Sequence, residues 1–271
     1  METANRLTAA GNYTAACYEF ERQAWLSTDN TTLANALMGK AGSLIMEGNY
    51  SEAYRTTGRF RYETLSDTTV IRCRHTAALA AYLASDYNSA IAEIQQLLFL
   101  VNDTSKTSSS LFILALSYNE NREWLKADSV LQVMVRRSAV PKNMKDSLEE
   151  VLSQSYAPQR FPKLKNPDTA QKWSTFIPGA GHIYAGYVGE GLLNFSLTAA
   201  SLGFIGYEIY VAYYITAFTI GSGIFQHFYF GGINRAAFLA DKRNYRNLRD
   251  YNDPRRVQVL QMQELLYGEV R

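Results

Sequence analysis

One pattern recurs four times at an unvarying interval of 37 residues, and nothing else in the chain constrains its fold as strongly. An aromatic residue sits at Tyr13, Tyr50, Tyr87 and Trp124. Three residues later comes alanine, at Ala16, Ala53, Ala90 and Ala127. Nine residues before each aromatic lies another, at Ala4, Ala41, Ala78 and Ala115. A fixed period of this size marks stacked helix pairs, in which each pair buries its apolar face only against its neighbours. Such arrays bind partners far more often than they catalyse.

Each period reads as two helices and a turn. Gly11-Asn12 and Gly48-Asn49 break the chain just before the aromatic, and Ser85-Asp86 and Asn121-Arg122-Glu123 take the same place in copies three and four. These residues suit turns and caps because they tolerate left-handed backbone or bond their own main chain. Helices that cross closely need side chains of little bulk at the contact, and alanine supplies this without the entropic cost of glycine. The large apolar residue four positions after the second alanine is Phe20, Ile94 and Leu131, but Thr57 in copy two. A further helix from Pro141, with Met144, Leu148, Val151 and Leu152 on one face, is expected to cap the array.

These columns resemble the tetratricopeptide repeat over roughly residues 1–137. The period is longer than that family's usual 34, so each copy carries about three extra residues. The resemblance implies an all-α fold: a solenoid of about four helix pairs over residues 1–157, with a groove for a protein or peptide partner. First-helix residues of successive copies are expected to line it, among them Asn35, Lys40, Arg74 and Ser110.

Residues 173–234 contain no lysine or arginine, in a chain that is 19% charged. Two apolar runs lie inside, about Val188–Tyr207 and Val211–Gly232, each near the ~20 residues a helix needs to cross a bilayer. The simplest reading is a transmembrane helical hairpin; the other is a buried hairpin of a soluble domain. Basic residues crowd the outer ends, in a linker over 158–172 (Arg160, Lys163, Lys165, Lys172) and a tail over 235–271 (Arg235, Lys242, Arg243, Arg246, Arg249). This asymmetry would place both ends in the cytoplasm. Tyr207, Tyr210, Tyr213 and Tyr214 cluster at the tip, and Phe228, Tyr229 and Phe230 at the far end, as interface belts do. Small residues, Gly203 and Gly223 among them, would let helices approach closely in lipid. The tail carries an excess of positive charge suited to anionic headgroups. Its end, with Val257, Leu260, Leu265 and Leu266, is weakly amphipathic and would return to the membrane or to the array.

The lead-in to the first run carries Pro178, Gly179, Gly181, His182, Tyr184 and Gly186. With the exit strip Tyr229–Ala236 and Asn244, it resembles small bacterial two-helix membrane domains of the TM2 type, over about residues 173–247. Two readings stand: a re-entrant turn lining a polar pocket, or glycines and a proline that let the chain pack under the hairpin.

Little in the chain suggests chemistry. His75, His182 and His227 are far apart and lack metal spacing. Glu190 and Glu208 fall at the ends of the first span, where a carboxylate reaches water. No phosphate loop, nucleophile elbow or zinc-protease motif occurs. No enzymatic activity, cofactor or metal is therefore expected, and a membrane enzyme using Glu190 and His182 is the weakest reading. Cys17 and Cys73 read as small buried residues. Of the Asn-x-Ser/Thr triplets at Asn12, Asn30, Asn49 and Asn102, two are repeat turns, so capping explains them better than glycosylation. A net charge of +2 argues against nucleic acid. Met1 runs straight into a clipped first helix, which suits either a cytoplasmic start or a leader replaced by Met; the two place the repeats on opposite sides. The expected protein is thus a bacterial, membrane-anchored scaffold, probing partners through its repeats. The alternative is a subunit of a secretion, insertion or envelope-assembly complex whose hairpin packs against another membrane protein.

Overall fold

The structure, a computed structural model, describes residues 1–101 and 107–268. These form helices, with no strand among the described residues. Contacts divide the chain into two compact units: Met1–Arg160 together with the chain from Pro254 onward, and Phe161–Asp253.

In the first unit the helices are α1 (Glu2–Ala9), α2 (Tyr13–Leu26), α3 (Asn30–Met46), α4 (Tyr50–Thr57), α5 (Asp67–Leu83), α6 (Tyr87–Leu100), α7 (Leu111–Glu120), α8 (Trp124–Arg137) and α9 (Lys142–Ser155). Each helix packs on the next, and α1, α3, α5 and α7 also touch one another in turn. The aromatic column supplies the first residue of every second helix. All eight column alanines are fully buried. Any larger side chain there would push two helix backbones apart.

The turn inside each pair is a fourth column. Gly11, Gly48, Ser85 and Arg122 all have left-handed backbone, with φ of +74°, +78°, +62° and +65°. At each, two hydrogen bonds close the preceding helix. Asn12, for example, donates its N–H to the Leu7 carbonyl (2.9 Å) while Gly11 donates to Thr8 (3.0 Å), and Glu123 and Arg122 repeat this with Tyr118 and Asn119. This is the paired bonding of a Schellman cap, followed at once by the next helix. Asn12 and Asp86 then cap α2 and α6, accepting from Ala15 and Ser89. Asn49 holds the equivalent position before α4, but its side chain makes no cap bond, contrary to the capping expected there; the Asn30 side chain donates to the Glu63 carbonyl (2.8 Å). Asn102 lies outside the described residues.

Copy two departs from the others where the sequence does. Helix α4 has 8 residues against 14 in α2, α6 and α8. The Thr57 hydroxyl bonds back to the Tyr54 carbonyl at 2.7 Å and the helix stops at Gly58. Phe60, Tyr62 and Leu65 from the following loop fill the space instead, packing on Ala34, Leu37, Cys73 and Ala77.

In the second unit the helices are α10 (Pro167–Phe176), the short α11 (Ala180–Tyr184) and α12 (Val188–Tyr210). A single turn at Tyr214–Thr216 and a π-helical stretch at Ala217–Gly221 follow, then α13 (Ser222–Tyr267). Two expectations are corrected here. The second apolar run is not one helix from Val211 to Gly232. Thr219 and Ser222 bond back to the carbonyls of Ile215 and Phe218, and this back-bonding accompanies the widened turn. Helix α12 is then the one helix among the described residues long and apolar enough to cross a membrane. The tail, moreover, is not one piece. Ala236, Leu239 and Ala240 form a core with Ala170 and Ala185, so α13 up to Asp253 belongs to the second unit and the part beyond Pro254 to the first.

Residues 161–172, expected within a linker, are built into this second unit. The Asn244 side chain accepts from the Lys165 N–H (2.6 Å) and donates to the Lys165 carbonyl (2.7 Å), and α10 begins two residues later. The unit's close approaches rely on particular glycines. A Cβ on Gly181 would lie 1.9 Å from the Ala170 carbonyl oxygen, and one on Gly179 2.0 Å from that of Gly191. Gly203 and Gly223 have no such neighbour, whereas Gly221 packs closely against Ile205.

The turn column yields a stability test. A left-handed non-glycine residue costs roughly 1–2 kcal/mol, and glycine's extra freedom when unfolded returns roughly 0.5–1. Arg122→Gly should raise unfolding free energy by about 0.5–1 kcal/mol, and Gly48→Ala should lower it by about 1 kcal/mol. Urea unfolding followed by circular dichroism checks both signs.

Candidate functional site

A cavity of about 660 Å³ in the repeat unit opens on the first helices. Its wall follows the same interval as the fold. Met1, Met38, His75 and Phe112 line it at 37-residue spacing, and Asn35 and Arg72 form a second such column beside them. The stacking that aligns the alanines necessarily aligns these side chains as well. His75 is tied to the Ser110 hydroxyl at 3.0 Å and lies 6.1 Å from the Phe112 ring. Burial pushes its imidazole below the usual value of 6.5. Arg72 is exposed at the rim and is the one formally charged side chain among the lining residues.

Of the four residues expected in the groove, Asn35 alone lines it. Lys40 is turned about 140° away on α3, being five residues further along at ~100° each. It pairs with Glu21 of α2 at 2.8 Å, and Arg59 joins the same carboxylate at 2.8 Å. Hydrogen bonds from Arg59 and Lys40 hold Glu21 down at about 2. Arg74 lies one position from His75 and so faces α6, where it pairs with Glu93 at 2.5 Å and sits over the Tyr62 ring. Ser110 is wholly buried beneath His75. His75, expected at the surface or in the groove, lines it, and Arg72, Met38 and Phe112 follow by applying the 37-residue step to Asn35 and His75.

The chain's own end shares this first-helix face. Val259, Met262, Gln263 and Leu266 are buried, and Gln263 completes the cavity wall. Arg256 reaches Glu120 of α7 (2.5 and 3.1 Å) and the Tyr82 hydroxyl of α5. The segment expected to return to membrane or array is thus part of the repeat unit. Its inward residues are one or two positions from the expected Val257, Leu260 and Leu265, which are exposed, whereas Leu266 is buried as its neighbours in the stripe are.

Comparison with family models, with curated proteins and with solved structures finds no match to this chain. Site chemistry therefore rests on the residues themselves. Among the described residues no group of three or more His, Cys, Asp or Glu is placed to hold a metal ion. Cys73 is buried, which pushes its thiol up to about 11 and leaves it protonated and unreactive at neutral pH.

The second unit gathers the lead-in residues. Gly179 (φ +84°) turns the chain after Pro178, and Gly186 (φ +92°) turns it again after α11. The Ser174 hydroxyl accepts from the Gly181 N–H at 3.1 Å, and the Tyr184 hydroxyl accepts from the Asn166 N–H at 3.2 Å. The packing reading of this motif thus accounts for its glycines. A cavity of about 300 Å³ lies beside His182, walled by Glu190, Asn194, His227 and Arg235 together with Leu193, Leu197 and Phe228. Among the basic tail residues, Arg235 pairs with Glu190 (3.0 Å) and Arg249 with Asp250 (3.4 Å). Lys242 lies 5.9 Å from the Tyr187 ring, and Arg243 and Arg246 are exposed beside it on α13.

The groove histidine sets a pH dependence. Its folded value lies below the unfolded 6.5, so between the two the unfolded chain binds more protons. The stability it supports is complete above pH 6.5 and is lost as pH falls through the folded value. Glu21 acts lower: its contribution is complete above 4.5 and lost as pH falls towards about 2. Histidine-resolved NMR titration should place the His75 midpoint below 6.5. Urea midpoints of His75→Gln should fall less than those of the parent between pH 7 and pH 5.

Proposed function

We propose that this chain is a non-enzymatic, membrane-anchored scaffold. Its tetratricopeptide-like array holds a protein or peptide segment in the first-helix groove, and the apolar helices of the second unit fix that complex at a bilayer. The observation that carries the reading is the groove itself: a cavity of about 660 Å³ whose lining repeats at the interval of the fold. A wall of Met38, Phe112 and Ile71 with Asn35, His75 and Arg72 suits an apolar segment that also offers an acidic group.

The anchor is supported by surface chemistry. Helix α12 has a mean hydropathy of 1.3 over its most apolar window, of which 17% is buried. Leu192, Leu193, Phe195 and Leu202 are all at least half exposed. An apolar surface of that extent calls for a non-aqueous cover. Exposed Tyr207, Tyr210, Tyr213 and Tyr214 mark one end of the apolar stretch, and exposed Lys242, Arg243 and Arg246 lie on α13 beyond its other end. By the positive-inside rule the basic end faces the cytoplasm, and each basic residue near anionic headgroups contributes roughly 1 kcal/mol. A second reading, a subunit of a membrane assembly complex, draws on Gly203, Gly206 and Gly223. A Cβ at any of these meets open space, where a helix of another protein could approach closely.

Two measurements test the scaffold. The chain should stay with membranes through an alkaline carbonate wash. Pull-downs in mild detergent should then recover a partner whose capture drops about tenfold, ~1.4 kcal/mol, in Asn35→Ala/Arg72→Glu, with the thermal melt unchanged. Equal capture by parent and variant would remove the groove from the function.

A further inference from the structure

The chain's own end shows what the first-helix face of the repeat unit holds. Residues 254–267 lie in the furrow between α5 and α7. Arg256 bonds Glu120 at the last residue of α7 and the Tyr82 hydroxyl of α5. Gln263 shares a cavity wall with Phe112, in the first turn of α7. A hydrogen bond joins Tyr267 to the Ser108 side chain, just before that helix. Rising positions on the tail thus meet falling positions on α7, so the two run antiparallel. Val259, Met262 and Leu266 form the buried apolar stripe, while Val257, Leu260 and Gln261 are exposed. The array already seats one amphipathic helix, in a furrow that the repeat makes more than once.

One step of 37 residues leads to the next furrow, between α3 and α5, and there the cavity of about 660 Å³ is open. Phe112 and Ser108 correspond to His75 and Ile71 of α5, and Met38 of α3 stands across from them in the same wall. Helices in contact lie roughly 8–10 Å apart, about one helix diameter. A second helix in this furrow therefore falls beside the tail rather than on it. The clamp on Arg256 is not repeated, because Tyr82 and Glu120 correspond to Ile45 and Leu83. The open furrow is thus more apolar than the occupied one, and the formal charge in its wall is exposed Arg72, next to Ile71. The main chain of α3 and α5 is bonded within each helix, so an extended segment would find no backbone partners here. It would also turn alternate side chains away from the wall. A helix satisfies its own backbone and lays i, i+3, i+4 and i+7 on one face. Its pattern follows from the wall: the tail's apolar stripe, an apolar residue in place of Arg256, and a carboxylate for Arg72 towards its C-terminal end.

We propose that the furrow between α3 and α5 binds an amphipathic helix of a partner protein, antiparallel to α5 and acidic towards its C-terminal end, beside the chain's own tail. The proposal rests on the groove reading above and adds the conformation and pattern of the segment that the groove holds.

The probe is a fluorescent synthetic peptide of residues 253–268 with Arg256→Leu and Tyr267→Glu, stapled between the outward positions 257 and 261. Its binding to the full chain in phosphatidylcholine nanodiscs is read by anisotropy, with empty nanodiscs as the blank. Binding should saturate. It should be at least tenfold tighter than that of an unstapled version carrying Leu260→Pro, which breaks the helix at an exposed position and keeps every inward side chain. The unaltered tail sequence, stapled alike, should bind at least tenfold more weakly, because its Arg256 would face Ile45 and Leu83. Arg72→Glu in the chain should weaken the probe about fivefold, in the range of an exposed ion pair. A probe with Tyr267→Lys should recover that loss, a gain that misfolding cannot produce. Absence of saturable binding overturns the proposal, and so does binding unchanged by Arg72→Glu. Equal binding of the Leu260→Pro peptide overturns the helix and leaves the groove as a site for extended peptide. The pull-down with Asn35→Ala/Arg72→Glu does not depend on the probe: its failure removes the groove, whereas failure of the probe alone removes the helix.

Discussion

The repeat unit depends on how closely two helix backbones can approach at the alanine columns. Ala4, Ala41, Ala78 and Ala115 meet their neighbours with no exposed surface, as do Ala16, Ala53, Ala90 and Ala127. That contact works only if every pair is delivered in the same phase. The left-handed residue at position 11, 48, 85 or 122 sets the phase by ending one helix and starting the next two residues later. Close packing and turn geometry are therefore one constraint at two scales. Ser85 and Arg122 accept a strained backbone to meet it where Gly11 and Gly48 do not need to.

The second unit solves a similar problem by other means. It has no repeat to distribute the load, so it relies on single close contacts. Gly179 lies against Gly191, Gly181 against Ala170, and Gly232 beneath Asn194. Polar clamps hold the ends of these contacts: Asn244 on the Lys165 backbone, and Tyr229 on the Thr175 carbonyl at 2.8 Å. The cost of such tight backbone contact is that side chains between the glycines, His182 above all, are buried with little freedom to find partners of their own.

What was legible in the sequence follows from what is periodic. The helix pairs, their turns and the aromatic first residues could be read because each recurs in register. The groove could have been read the same way, but Lys40, Arg74 and Ser110 do not share one phase, and five residues along a helix change its face. Residue type suggested them; the 37-residue step would have selected Met38, Arg72, His75 and Phe112 instead. The break in the second apolar run was harder to see. Composition from Val211 to Gly232 is continuous, and the π-helical turn at Ala217–Gly221 coincides with local hydroxyl back-bonding and with the approach of Gly221 to Ile205, neither of which has a periodic signature. The division of the tail at Pro254 was hidden likewise, because charge dominates residues 235–256 while three apolar side chains, Ala236, Leu239 and Ala240, decide where the helix packs.

The final helical segment bounds the cavity of the repeat unit. Val259, Met262, Gln263 and Leu266 recur at three- and four-residue steps, so a single face of the helix lies on the array. That face is secured at Arg256 by Glu120 and Tyr82, on the first helices of the fourth and third pairs. The open cavity accordingly begins where the tail stops, with Gln263 in its wall and Met1, Asn5 and Asn35 at the other side. Beyond Gln263 this face is covered by the buried apolar stripe of the final segment, which the Arg256–Glu120 pair holds in place. The length and character of the groove are thus fixed jointly by the repeat and by the chain's own end.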